Sequence, residues 1–177
     1  MRRLYLLRHA KSSWDDPSLD DFDRPLTERG RRSAALMARH LAAARIRPAL
    51  VLCSAATRAR QTLELVEPAL EGVPVAIEPD LYEADKAALL VRLRRLDDHL
   101  GSVMLVGHNP GIERLAEGLA AHHGDGEALA RFTEKFPTCA LAVLEGDLAR
   151  WAELEDGTCR LAEFIRPADL GGVKEAE

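Results

Sequence analysis

The chain has no pair of cysteines placed to chelate a metal or to cycle between thiol and disulfide. Its three, Cys53, Cys139 and Cys159, are odd in number and far apart, and no Cys-x-x-Cys occurs. That spacing argues against zinc and redox motifs. Each lies in or beside an apolar run, so all three read as core thiols of a reducing, cytoplasmic compartment. Surplus positive charge is missing too. Against 24 Lys and Arg stand 29 Asp and Glu, a formal net charge of −5. No nucleic-acid partner and no pull toward an anionic membrane is expected from that balance. No apolar run approaches the roughly 20 residues that span a bilayer. The apolar stretch behind Met1–Arg2–Arg3 is too short for a signal peptide. The chain also lacks a Walker-type Gly-rich loop, a His/Asp/Glu spacing that resembles a metal cage, an internal repeat and a linker. Neither metal nor cofactor is expected.

What is present is a globular composition, 47% hydrophobic and 30% charged over 177 residues. That is enough for one domain with a substantial core. A single domain is expected over residues 1–170, with 171–177 a frayed tail, and the protein is expected to be a monomer. The first apolar run, Leu4–Tyr5–Leu6–Leu7, reads as a buried strand and stops abruptly at Arg8–His9, with Lys11, Ser12 and Ser13 behind. Residues 12–24 read as a surface loop, and Thr27 as the N-cap of a helix reaching about Ala44. Ala49–Cys53 is a second strand ending in Ser54, Thr57 and Arg58, followed by a helix over 57–70. Pro74–Ile77 is a short third strand and Leu81–Tyr82–Glu83 a loop. A helix is predicted over 86–99, a fourth strand over 102–106, and a helix over 111–121 behind Gly107–His108–Asn109–Pro110. His122–Gly126 reads as a mobile connection and 127–133 as a short helix. Strands are predicted over 139–144 and 160–165, with another possible just before the Asp156–Gly157 turn.

Strands alternate with helices at spacings suited to right-handed crossovers, which predicts an α/β fold with a mostly parallel central sheet between helical layers. Three strands end in a basic or imidazole cluster: Arg8–His9, Ser54 to Arg58, and Gly107–His108. In an open α/β sheet ligands bind at the carboxyl ends of strands. Two arginines and two histidines converging there make an anion site, because guanidinium forks match phosphate oxygens. A histidine in such a site can also act as nucleophile. With no metal-like spacing, arginines must neutralise the equatorial oxygens of a transferring phosphoryl group.

Leu7–Arg8–His9–Ala10, then Ser54-x-x-x-Arg58–Ala59-x-x-Thr62, then Val106–Gly107–His108 resemble the histidine phosphatase superfamily. Lys11–Ser12–Ser13–Trp14, Asp23–Arg24–Pro25–Leu26–Thr27 and Gly107–His108–Asn109–Pro110 resemble its SixA-type phosphohistidine phosphatase branch, over nearly the whole chain. The resemblance implies a phosphoglycerate-mutase-like fold and a nucleophilic His9 that carries a transient phosphoryl group. It implies that Arg8, Arg58 and a cationic His108 bind the phosphoryl oxygens, with Arg24 an accessory contact. Ala10 stands where the wider superfamily usually has Gly, and the SixA-type branch accepts Ala.

Glu83 is either a general acid for an alcohol leaving group or a solvated loop carboxylate. Lys11 and Ser12 either line the mouth of the pocket or are solvated. His40, His99, His122 and His123 read as surface residues, and Arg92, Arg94 and Arg95 as a solvated face. Trp14 and Trp151 fit either core or rim. The expected substrate is a phosphorylated protein, such as a histidine phosphotransfer or phosphocarrier domain. A small phosphorylated molecule is the alternative, through a phosphomonoesterase or mutase-like activity. A phosphate-binding module without catalysis is the third reading.

Overall fold

The computed structural model describes residues 1–173. One six-stranded sheet runs in the order β3-β2-β4-β1-β5-β6. Strands β1 (Arg2–Arg8), β2 (Leu50–Ser54), β3 (Val75–Glu78) and β4 (Ser102–Gly107) are parallel. Strands β5 (Leu141–Gly146) and β6 (Cys159–Ile165) add an antiparallel hairpin beside β1. Alternation along β1 divides the core in two. Leu4 and Leu6 face helices α3 (Lys86–Arg94), α4 (Gly111–Ala120) and α5 (Gly126–Glu134). Tyr5 and Leu7 face α1 (Glu28–Ala43) and α2 (Thr57–Leu70). Both faces are thus covered, as parallel strands require. The expected three-layer α/β architecture is the one observed.

Register brings the strand ends level. Arg8 pairs with Gly107 across β1 and β4, so His9 and His108 leave the sheet side by side. Cys53 pairs with Val106, which leaves Ser54 at the same edge. Residues behind His9 are pinned to the start of α1. Thr27 caps that helix by accepting from the Gly30 N–H at 2.9 Å, and the Lys11 carbonyl accepts from the Thr27 N–H at 2.9 Å. A Cβ on Gly30 would lie 2.2 Å from the Lys11 carbonyl oxygen, so only glycine permits this approach.

Several expected boundaries move. β5 begins at Leu141 rather than Cys139, because Cys139 is left-handed (φ 61°) and its N–H points at the Arg8 and His9 carbonyls. α3 ends at Arg94 rather than His99. The Asp97 carboxylate accepts from the His99 N–H, a local bond that competes with helix propagation. The residues just before Asp156–Gly157 form no strand. Trp151 opens a 3-10 turn there, buried, with its indole N–H donating to the Leu100 carbonyl at 2.8 Å. Trp14, by contrast, is exposed. The predicted mobile connection at 122–126 is tied to β6: the His123 carbonyl accepts from the Leu161 N–H, and the Leu161 carbonyl from the Asp125 N–H. Of the basic run, Arg92 grips Glu78 through two bonds of 2.8 Å and Arg94 donates to the Leu154 carbonyl, whereas Arg95 is exposed. Of the histidines expected at the surface, His99, His122 and His123 are exposed, whereas His40 is half-buried. The expected tail starts at Gly171. That residue (φ 89°) closes a 3-10 turn over Pro167–Leu170, and Gly172 donates back to the Pro167 carbonyl. Residues 174–177 lie outside the described residues. Among the described residues no helix is long and apolar enough to cross a membrane.

Candidate active site

His9 is held at both backbone ends and through its ring. Its N–H donates to the Gly107 carbonyl at 3.0 Å, and its carbonyl accepts from the Cys139 N–H at 3.0 Å. Ring Nδ1 lies 2.7 Å from the Ala10 carbonyl oxygen. A carbonyl only accepts, so Nδ1 carries the proton and Nε2 keeps a lone pair. Burial, followed by the nearby His108 and Arg58, pushes the His9 pKa down to about 3. At neutral pH the ring is uncharged, the state a nucleophile needs.

His108 stands beside it, ring centroids 5.1 Å apart. Its Nε2 is 2.7 Å from Ser54 Oγ, which also accepts from the Ala56 N–H at 3.2 Å. Buried Nδ1 has no hydrogen-bond partner among the described residues. Burial first, then Arg58, lowers the His108 pKa to about 4. Without a bound anion His108 is neutral at pH 7, because it is buried beside guanidinium groups; the expected cation belongs to the anion-bound site. Ser54 suits either state, donating to a bare Nε2 or accepting from a protonated one.

The arginines arrive from three directions. Arg8, at the end of β1, donates from Nη1 to the Phe136 carbonyl at 2.9 Å, and Asn109 donates to the same oxygen at 3.2 Å. Arg58 lies in the first turn of α2, and Thr62 explains its spacing. The Thr62 hydroxyl donates to the Arg58 carbonyl at 2.7 Å and accepts from the Ala10 N–H at 2.9 Å, so one threonine ties the helix to the segment behind His9. Arg58 Nη1 donates to the Asp21 carbonyl at 2.7 Å and Nη2 to Asp21 Oδ2 at 3.1 Å. Its Nε is buried and has no partner among the described residues. Arg24 donates from Nε to Asp21 Oδ1 at 3.0 Å and from Nη1 to the Ser13 carbonyl at 3.3 Å. Trp14 stacks on its guanidinium, 3.4 Å from the ring centroid to Cζ.

Asp21 and Tyr82 belong to this constellation, although no sequence motif singles them out. The Tyr82 hydroxyl donates to Asp21 Oδ2, and its ring meets His108 edge-on at 5.5 Å. The Tyr82 hydrogen bond first, then Arg58, holds the Asp21 carboxyl down at about 2, so it is ionised at any working pH. The available signals are positional: Asp21 stands three residues before Arg24, and Tyr82 adjoins Glu83. Glu83 itself is exposed. Ser12 is buried and pairs through its backbone with Leu26. Exposed Lys11 lines a cavity of about 550 Å³ whose other walls include Arg29, Glu134 and Arg166. His9, His108, Arg8 and Arg58 are not among its lining residues. Among the described residues no group of three or more His, Cys, Asp or Glu is placed to hold a metal ion.

Two neutral imidazoles, three guanidinium groups and one carboxylate therefore meet at the edge where β1, β2 and β4 end. Residues 4–89 match the histidine phosphatase superfamily (branch 1). An uncharacterized protein of Mycobacterium tuberculosis is 40% identical over 164 residues, covering 91% of this chain and 99% of its own length. The chain belongs to the histidine phosphatase superfamily. Within it the chain is of the SixA type. A candidate phosphohistidine phosphatase SixA of Agrobacterium tumefaciens superposes with a TM-score of 0.79 at 36% identity, over 94% of this chain and 98% of that one. The protein histidine phosphatase SixA, solved with tungstate, gives 0.75 at 26% identity, over 95% and 99%.

The depressed histidines of this superfamily member link stability to pH. A base whose pKa is lower folded than unfolded takes up its proton first in the unfolded chain. Stability is therefore intact above the ordinary histidine pKa of 6.5 and falls as pH drops from there toward 4. Each histidine contributes a slope of up to about 1.4 kcal/mol per pH unit. Urea midpoints are expected to fall between pH 7 and pH 4.5, above the range where Asp21 titrates. A His108→Asn variant is expected to flatten that fall, and an unchanged slope would contradict the burial.

Proposed function

We propose that the protein is a metal-independent phosphatase that forms a covalent phosphohistidine on His9 and removes phosphate from phosphohistidine on a signalling or phosphocarrier protein. One observation carries the reading: a buried, neutral His9 whose Nδ1–H is spent on the Ala10 carbonyl, leaving the Nε2 lone pair among guanidinium groups. In the first step Nε2 attacks phosphorus, the phosphorus–nitrogen bond to the substrate breaks, and the substrate imidazole, protonated on its second nitrogen, leaves as the neutral ring. In the second, water attacks phosphorus, the bond to His9 breaks and phosphate leaves. Arg8, the Arg58 Nε and the His108 Nδ1 face the equatorial oxygens in both steps.

The leaving group follows from the acids. Asp21, the carboxylate that touches the arginines, is held ionised and has no proton to give; Glu83 is exposed. An imidazole protonated on its second nitrogen departs as the neutral ring and needs no further acid, whereas an alkoxide must be given a proton. The chain is short, 177 residues, which leaves little insertion between the motifs to close a pocket over a small metabolite and suits a protein surface.

The test is labelling with a radioactive phosphodonor, together with turnover on phosphorylated phosphotransfer and phosphocarrier proteins against sugar phosphates. Acid-labile, alkali-stable label and faster turnover on the proteins are expected. Acid-stable label would remove the histidine intermediate. Faster turnover on sugar phosphates would move the protein to the small-molecule phosphatases. Tight phosphate binding without turnover on any aryl phosphate would make it a binding module.

A further inference from the structure

A carboxylate sitting on the arginines of a phosphate site calls for a reason. Asp21 lies in a 3-10 turn over Asp21–Asp23, half exposed, and reaches two guanidinium groups at once, Arg24 Nε at 3.0 Å and Arg58 Nη2 at 3.1 Å. Its own carbonyl accepts from Arg58 Nη1 at 2.7 Å, so both terminal nitrogens of Arg58 donate to one residue. The other side of Arg58 carries the buried Nε, which has no partner among the described residues. Tyr82 fixes the carboxylate from the far side, and its ring is braced against both His108 and Phe22. Asp21 is therefore built into the site rather than swinging at its rim.

Charge gives the arrangement its sense. Arg8, Arg24 and Arg58 supply three positive charges, and His9 and His108 are neutral without an anion. Three buried or half-buried guanidinium groups would hold a phosphate dianion tightly, and a phosphatase that cannot release phosphate stalls. One fixed negative charge beside Arg24 and Arg58 offsets part of their pull on a dianion.

We infer that Asp21 is a charge counterweight, a positioning residue that aims the Arg58 side fork while keeping the product phosphate weakly bound so that it leaves. This rests on the phosphatase reading above. The substrate is held in addition by whatever surface surrounds its phosphorylated side chain, so the weakening falls mainly on the free product.

The discriminating variant is Asp21→Asn, which keeps the shape and an acceptor oxygen for Arg58 but removes the charge. Inhibition constants for inorganic phosphate and for tungstate, with kcat and KM on the best substrate, are measured on folded wild-type and variant protein. Both inhibition constants are expected to fall about tenfold in Asp21→Asn, with KM lower and kcat lower. Asp21→Ala, which also removes the aim of Arg58, is expected to bind both anions more tightly than wild type with a larger loss of kcat. Weaker or unchanged anion binding in Asp21→Asn overturns the counterweight. The phosphatase reading is judged separately, by acid-labile label on His9 in the wild-type protein, and can fail without Asp21 being touched.

Discussion

His9→Asn is expected to lower kcat by about 10⁴-fold or more and to abolish acid-labile labelling of the chain. Asparagine can keep the hydrogen bond to the Ala10 carbonyl, because its amide donates as the imidazole Nδ1–H does. It offers no lone pair of comparable nucleophilicity. Binding should survive in consequence, because Arg8, Arg58 and His108 keep their places around the oxyanion. Tungstate affinity within about threefold of wild type, beside collapsed turnover, is the expected split between binding and chemistry. Label persisting in His9→Asn would remove His9 as the nucleophile. Both histidines are neutral without a ligand, so His108 would be the next candidate.

Much of this site is legible in the sequence because its spacing is dictated by short, local geometry. Arg58 and Thr62 are one helical turn apart, and Thr62 must reach back to both the Arg58 carbonyl and the Ala10 N–H. Gly30 is fixed by contact with the Lys11 carbonyl, and Thr27 by the cap it makes with Gly30. Strand ends are legible for a similar reason. Apolar runs buried on both faces stop where polar groups begin, and in this chain three of them stop at the same edge.

What is not legible depends on distance in sequence. Asp21 meets Arg58 across 37 residues and Tyr82 across 61, through two loops with no periodicity to read. Nothing local distinguishes Asp21 from Asp15, Asp16, Asp20 or Asp23 in the same loop. The protonation of His108 escapes a sequence reading because a pKa is set by burial and by neighbouring charge. Both are tertiary properties, whereas the residue type alone suggests a cation opposite phosphate. Local competition accounts for the misplaced ends. Asp97 captures a backbone N–H that a longer α3 would need, and Cys139 adopts a left-handed backbone that no alternation pattern announces.

Arg58→Lys separates charge from geometry in the other half of the mechanism. Lysine keeps one positive charge, so a site that needed only neutralisation would be little affected. Arg58 has a planar task instead: its end fork spans the carbonyl and the carboxylate of Asp21, and its buried Nε is left for the phosphoryl group. An ammonium cannot meet both groups on opposite edges. A lysine that reaches Asp21 abandons the phosphoryl oxygen, and one that reaches the oxygen leaves Asp21 with Arg24 and Tyr82 alone. The expected result is a fall in kcat/KM of about 10²- to 10³-fold, the range seen when one donor to a developing anion is lost. Most of it should appear in kcat, since Arg8 and Arg24 still attract the dianion. A double variant with Asp21→Asn tests the same geometry. If Asp21 is what competes for the lysine, removing its charge should restore at least about tenfold of the lost rate. A double variant no better than Arg58→Lys alone would mean that the guanidinium fork itself, and not its sharing with Asp21, is what the reaction requires.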